Sequence, residues 1–205
     1  MAAPLQITCT NLSGKFALSN NARLNKFLSD NVDAMLALQG ISWTIRTIVG
    51  LASVVLTIKS YTKDSTLHID ITTVVAGLDK TLEERTLNWT EAEHIDKIFG
   101  KCRHRARVVK ARDFKMEGPG SAEDAAFLKA EKLKDGKTAS RFLGDQLVQS
   151  YVESTGGPGW KAEQVWGFEM VGGERRYTRR VVVWKGGKEV RTRVVYDYKG
   201  EVKKG

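Results

Sequence analysis

The sequence predicts an all-β chain, about ten strands forming an antiparallel up-and-down barrel, with a helix–turn–helix lid between the first two strands. Three observations carry that prediction. Between residues 13 and 61 a short alternating stretch gives way to apolar residues at helical spacing, and these to a long β-branched run. From residue 53 onward, run after run alternates apolar and polar side chains with a period of two, the pattern of strands with one buried face. The runs are separated by short turns or paired glycines, which join antiparallel neighbours.

Residues 14–18 make the first strand. Asn20 or Asn21 can cap a helix, because a short polar side chain accepts from the free N–H groups of a first turn. Leu24, Phe27 and Leu28, then Val32, Met35 and Leu36, fall on one helical face. Gly40 breaks this segment, and 41–51 supplies a second helix with Ile41, Ile45 and Ile48 aligned. Strands follow at 53–61, 66–75, 81–89, 95–99 and 101–112. Residues 113–145 interrupt the alternation with a Pro-Gly turn and a short helix within 121–133, which reads as a partly helical insertion. Strands resume at 147–153, 162–171, 177–184 and 190–198. Without an internal repeat or a long linker, 1–205 reads as a single domain.

Bulk properties narrow the classes of function. No apolar run is long enough to span a bilayer as a helix, and the N-terminus lacks the basic and apolar regions of a secretory signal, so a cytoplasmic protein is expected. Cys9 and Cys102 have no paired spacing and read as reduced thiols. His68, His94 and His104 show no zinc spacing, and no phosphate-binding glycine loop or nucleophile–base motif is present, so neither a metal nor a cofactor is expected. Residues 1–100 carry nine Lys/Arg against ten Asp/Glu, and residues 101–205 carry twenty-four against fourteen. The basic half reads either as a solvated outer face of strands or as a surface for anionic membranes. Nucleic acid is disfavoured, because exposed aromatics do not alternate with the basic residues as a stacking platform requires. A monomer is expected.

The order of elements resembles the intracellular lipid-binding proteins, the fatty-acid- and retinoid-binding group of the calycins, with lipocalin-like barrels as wider kin. The resemblance rests on the opening strand at Gly14–Leu18, on NARLNKFLSD, on Gly40 followed by Trp43 and Arg46 in GISWTIR, and on TRVVY at 192–196. It covers roughly 13–112 and 146–198 at the level of topology. It implies a lidded cavity for a small hydrophobic ligand, with Trp43 and Arg46 near its mouth. Two departures stand out: the 113–145 insertion is foreign to the compact members, and TRVVY has one residue too many between Arg193 and Tyr196. In the family, an Arg and a Tyr on this strand point together at a ligand carboxylate. One extra strand residue sends Arg193 and Tyr196 to opposite faces, so that clamp does not transfer.

The residues themselves suggest where a ligand lies. Ala162, Gln164, Trp166, Phe168 and Met170 share a strand face opposite Lys161, Glu163 and Glu169, and that face is expected to be interior. Trp166 and Phe168 would form apolar walls and Gln164 would orient a polar group, unless the face is simply core. Thr192, Val194 and Tyr196 form a similar face on the last strand, with the Tyr196 hydroxyl as a polar anchor. His104, sharing a face with Cys102 and Ala106, is a proton donor or acceptor if that face is inward and a structural histidine otherwise. The ligand expected is a fatty acid, isoprenoid or polyketide-like compound. A binder of this molecule is the first reading. The alternative is an enzyme that isomerises or cyclises it in the same cavity, with His104 and Tyr196 as the catalytic candidates.

Overall fold

The computed structural model describes residues 1–18 and 28–202. The predicted cap at Asn20 or Asn21 and the helical positions Leu24 and Phe27 lie outside the described residues. One ten-stranded sheet wraps into a barrel. Its strands are β1 (Gly14–Leu18), β2 (Val54–Lys63), β3 (Thr66–Val75), β4 (Thr81–Thr86), β5 (Ala92–Asp96), β6 (Gly100–Lys110), β7 (Gln146–Ser154), β8 (Lys161–Val171), β9 (Glu174–Lys185) and β10 (Lys188–Gly200). The spatial order is β4-β3-β2-β1-β10-β9-β8-β7-β6-β5, so the chain ends meet at β1–β10 and the seam falls between β4 and β5. Every hydrogen-bonded pair of neighbouring strands is antiparallel. The segment after β4 closes the seam, with Leu87 N–H donating to the Leu67 carbonyl and Trp89 N–H to that of Ala106.

Helices α1 (Asp33–Leu38) and α2 (Trp43–Leu51) lie between β1 and β2 as the sequence predicts, but Leu28 and Val32, expected on the first helix, precede α1. Ser42 caps α2, its hydroxyl accepting from the Ile45 N–H at 3.5 Å. Gly40 joins the two helices at φ +83°, where a Cβ would strain the backbone and meet Pro158 at 3.0 Å. Leu36 and Ile41 are buried, and Met35, Ile45 and Ile48 pack on the main core, so the apolar stripe faces the barrel.

The opposite end is closed by residues 1–12, for which the sequence offered no periodic signal. Ala3, Ile7, Cys9 and Leu12 are buried in the main core. Arg175, at the start of β9, holds this segment by donating to the carbonyls of Ala3, Pro4 and Ile7 at 3.1, 2.8 and 2.7 Å. The barrel therefore has a floor as well as a lid.

The insertion forms an outer layer on the wall made by β7–β10. Helix α3 (Ala122–Leu128) opens with a capping box between Ser121 and Asp124. Phe114, Phe127 and Leu128 form a second core with Leu147, Val165, Val182 and Trp184 on the outside of the strands. Burying side chains of this size contributes roughly 1.5–3 kcal/mol each. Gly167 interrupts β8 because Phe142 presses on it: an added Cβ would lie 2.4 Å from that ring.

This layer changes the reading of the β8 face. Glu163 and Glu169 point away from the barrel interior, as their alternation requires, yet they are 0% and 2% exposed. Glu163 accepts from the Glu117 and Gly118 N–H groups, both at 2.8 Å, and from Gln149 at 2.7 Å. Glu169 pairs with Arg180 at 2.8 Å, and Arg180 also donates to the carbonyls of Phe127 and Lys132. Part of the basic excess that the sequence read as a solvated outer face is thus enclosed between strand wall and insertion.

Candidate functional site

A cavity of about 280 Å3 lies inside the barrel beneath α1, which contributes Met35 and is followed by Gln39 in the lining. Its apolar walls include Leu56 from β2, Ile98 and Phe99 from the β5–β6 turn, Val181 from β9 and Val194 from β10. Such a wall follows from strand alternation, which sends every second side chain inward. Set into it is a polar group of side chains: Glu83 and Arg85 from β4, His94 from β5, His104 from β6, Gln164 from β8, Arg179 from β9 and Tyr196 from β10.

The two arginines define the polar end. Arg85 donates to the Ser150 hydroxyl at 2.8 Å and pairs with Glu83, while its Nε, buried, has no partner. Arg179 donates from Nε to the Tyr177 hydroxyl at 2.9 Å, and its Nη2 is buried without a partner among the described residues. Both guanidinium groups lie against the Trp166 indole, with centroid distances of 5.6 Å for Arg85 and 4.1 Å for Arg179. Arg179 also approaches the Tyr196 ring at 5.7 Å, and Tyr196 stacks on Tyr177 at 5.3 Å. Burial, reinforced by the nearby Arg179 charge, pushes Arg85 down to about 9. Burial raises both the Tyr177 and Tyr196 hydroxyls, so each stays protonated and able to donate.

Of the residues singled out from sequence, Gln164, Tyr196 and His104 line the cavity. Gln164 has its carbonyl oxygen tied to the Trp166 indole N–H at 3.0 Å, leaving the amide N–H groups of that side chain to face inward. Trp166 and Phe168 belong to the main core, Trp166 as the surface on which both arginines rest. Thr192 is fully buried beside Val181, its register partner, and its Oγ1 has no partner. Met170 is 56% exposed, near the end of β8 where the strand runs out to its turn, and not inside as its alternation suggested. Trp43 is 71% exposed on α2. Arg46 is held to Asp33 at 2.8 Å and to the Ile41 carbonyl at 3.0 Å, bracing the lid helices against each other outside the cavity. Arg193 bonds Glu169 on the outer side of the wall, away from Tyr196. Sequence reading missed Arg85 and Arg179, although each interrupts a run that otherwise reads as strand, where an arginine on an inward face is a signal in itself.

His104 offers a direct check of the inward geometry. Burial, aided by the Arg85 charge and by His94, pushes its imidazole down to about 4. Unfolded, the same ring titrates near about 6.5. A folded value below the unfolded one means that stability from keeping the ring neutral is full above pH 6.5 and is lost as pH falls toward 4. Urea unfolding of His104→Asn is expected to show a shallower decline over that interval, by on the order of 1–2 kcal/mol after allowance for partial exposure. Identical slopes in the two proteins would contradict the placement.

No family model matches the chain. Two solved structures share the barrel over nearly its whole length. A Schistosoma mansoni fatty acid binding protein in complex with arachidonic acid is 14% identical with a TM-score of 0.53, covering 94% of this chain and 98% of that one. Echinococcus granulosus fatty-acid-binding protein 1 is 9% identical with a TM-score of 0.53, at the same coverage. The fold is that of the fatty-acid-binding proteins. This fatty-acid-binding-protein-like barrel is also similar in sequence to two proteins over nearly their whole length. It is 28% identical over 205 residues to the probable pericyclase scpY of Mollisia scopiformis, covering 97% of this chain and 95% of that protein. It is 27% identical over 203 residues to the pericyclase pydY of an Acremonium species, covering 98% of each. The alignments with both pericyclases therefore run through the 113–145 insertion as well as the barrel.

Proposed function

We propose that this chain is a pericyclase: it takes a small hydrophobic polyene into the barrel cavity and folds it into the conformation from which it cyclises. The observation that carries this reading is the cavity itself, lying beneath α1 in a barrel whose other end is packed by residues 1–12, with apolar walls and polar side chains at Arg85, Arg179, Gln164 and Tyr196. Full-length similarity to two proteins named as pericyclases supports it. The protein would act as a cytoplasmic monomer on a freely diffusing ligand.

A pericyclic step reorganises bonding electrons around one ring of atoms, so it calls for no nucleophile and no proton relay. What a protein supplies is conformation and electrostatics. Apolar walls that hold a flexible chain folded remove part of the conformational entropy that ring closure would otherwise cost. Hydrogen bonds from Arg179, Tyr196 or Gln164 to a carbonyl conjugated with the reacting alkene would draw electron density from it and strengthen as charge shifts in the transition state. His104, held neutral by burial, is a polar wall residue in this scheme.

Carriage of a lipid without turnover is the second reading, favoured by a fold shared with a protein that holds arachidonic acid. Denaturing extraction of the purified protein, followed by mass spectrometry of what is released, separates the two. A polyene or its cyclised isomer is expected. A saturated fatty acid, retained and unconverted on incubation, would favour carriage.

A further inference from the structure

Resting on the cavity reading above, we infer that the ligand carries a delocalised oxyanion, a carboxylate or an ionised 1,3-dicarbonyl, held by Arg179 with Arg85 beside it. Charge accounting in the cavity leads there. Two carboxylates reach the lining, and both are engaged: Glu83 pairs with Arg85, and Asp96 accepts the Ile98 and Phe99 N–H groups at 2.6 and 2.9 Å. Arg179 is left with the neutral Tyr177 hydroxyl and the faces of three aromatic rings, and no carboxylate pairs with it among the described residues.

A guanidinium does not shed its proton to escape burial, so a buried one without a counter-charge carries a large desolvation cost. Here a second guanidinium lies against the same indole, adding like-charge repulsion. Among the described residues, buried donors without a partner remain on both groups, Nη2 of Arg179 and Nε of Arg85. The planar fork of the Arg179 guanidinium suits two oxygens sharing one negative charge, which a neutral ester or ketone does not offer. The arginine that family resemblance would assign to this task, Arg193, faces the insertion and is used by Glu169. The anion site has thus moved from the last strand to β4 and β9, and it places the ligand's acidic end against Trp166 with its chain extending toward Phe99 and the lid.

The test is equilibrium binding of a fluorescent polyene, parinaric acid, and of its methyl ester at pH 7.5, with 2-dodecanoyl-1,3-cyclohexanedione as a competing ionised dicarbonyl. The acid is expected to bind about ten- to hundredfold tighter than the ester, the value of a buried hydrogen bond to a charged group. Stronger displacement by the dione than by unlabelled acid would identify the dicarbonyl as the preferred oxyanion, and the reverse would identify the carboxylate. Arg179→Gln is expected to lose the preference for the acid, its acid-to-ester affinity ratio falling to near one. Equal affinity for acid and ester in the wild-type protein overturns the inference while leaving the cavity in place, and needs no variant to fold. A preference that survives in Arg179→Gln also overturns it. If neither probe binds, the cavity reading fails, and the inference with it.

Discussion

Arg180→Ala is expected to unfold at a much lower urea concentration than wild type, a loss of about 3–5 kcal/mol. Arg180 is fully buried and joins the barrel wall to the insertion: it pairs with Glu169 and donates to the carbonyls of Phe127 and Lys132 and to the Ser140 hydroxyl. Removing it leaves the Glu169 carboxylate, 2% exposed, with Thr178 and the more distant Arg193 among the described residues, and it takes the Arg180 donor from the Lys132 carbonyl, while that of Phe127 keeps the Ala130 N–H. The cost comes from stranding those groups more than from losing the pair itself. The double variant Glu169→Leu with Arg180→Met is therefore expected to be more stable than Arg180→Ala alone, because it removes both charges together. Equilibrium urea denaturation monitored by tryptophan fluorescence measures both. A double variant less stable than the single one would show that the pair is not the joint between the two layers.

Ala162→Trp is expected to abolish ligand uptake and cyclisation while the barrel remains folded. Ala162 lines the cavity from β8, 2% exposed among Val152, Trp160, Val181 and Val183. An indole built there has the cavity as its open direction and would occupy much of its 280 Å3. Overpacking costs typically 1–3 kcal/mol, which a domain of this size tolerates. Fluorescence titration with a polyene probe, alongside circular dichroism to confirm folding, reads the effect. Met170→Ala, at an exposed position, is the control and should leave uptake unchanged. Normal uptake by a folded Ala162→Trp protein would place the ligand elsewhere.

Most of the barrel is legible in the sequence because strand alternation and turn chemistry are local. The number and order of the strands and the opposite facing of Gln164 and Glu163 follow from period-two reading, and the helices after Gly14–Leu18 from helical spacing; the strand expected at 95–99 instead lies at Ala92–Asp96, with 97–99 in the turn to β6. Local patterns carry no information about what covers an outward face. Glu163 and Glu169 read as solvent-facing charges because nothing in β8 announces that residues 113–145 will fold back over it. The floor at residues 1–12 was invisible for a related reason: it is held by Arg175 to backbone carbonyls, and such contacts leave no periodicity. Trp43 and Arg46 were placed near the mouth by resemblance alone, and the structure puts Trp43 in solvent and ties Arg46 to Asp33.

The polar end of the cavity was half legible. Gln164 stands on a strand face whose other members are apolar, and Tyr196 on one that is mostly so, and that contrast marks them. Arg179 has the same contrast, lying in register between Trp166 and Val194, but it sits in ERRYTRRVVVWK, where four arginines blur the alternation. Arg85 is masked by its neighbours Glu83 and Glu84, which make β4 read as a polar edge. The polar end of the cavity thus includes two arginines whose inward placement depends on three-dimensional closure, which local sequence does not show.

The central claim, that the cavity turns over its ligand by a pericyclic cyclisation, is tested most directly by deleting the gene in the native organism and comparing extracts by mass and ultraviolet absorption. A pericyclic cyclisation gains and loses no atoms and shortens a conjugated polyene. The prediction is that one metabolite disappears and isomers of identical mass with longer-wavelength absorption replace it, and that purified protein added to the extract restores the original. A metabolite profile unchanged by the deletion, or one in which the accumulating compound differs in mass, would contradict the account.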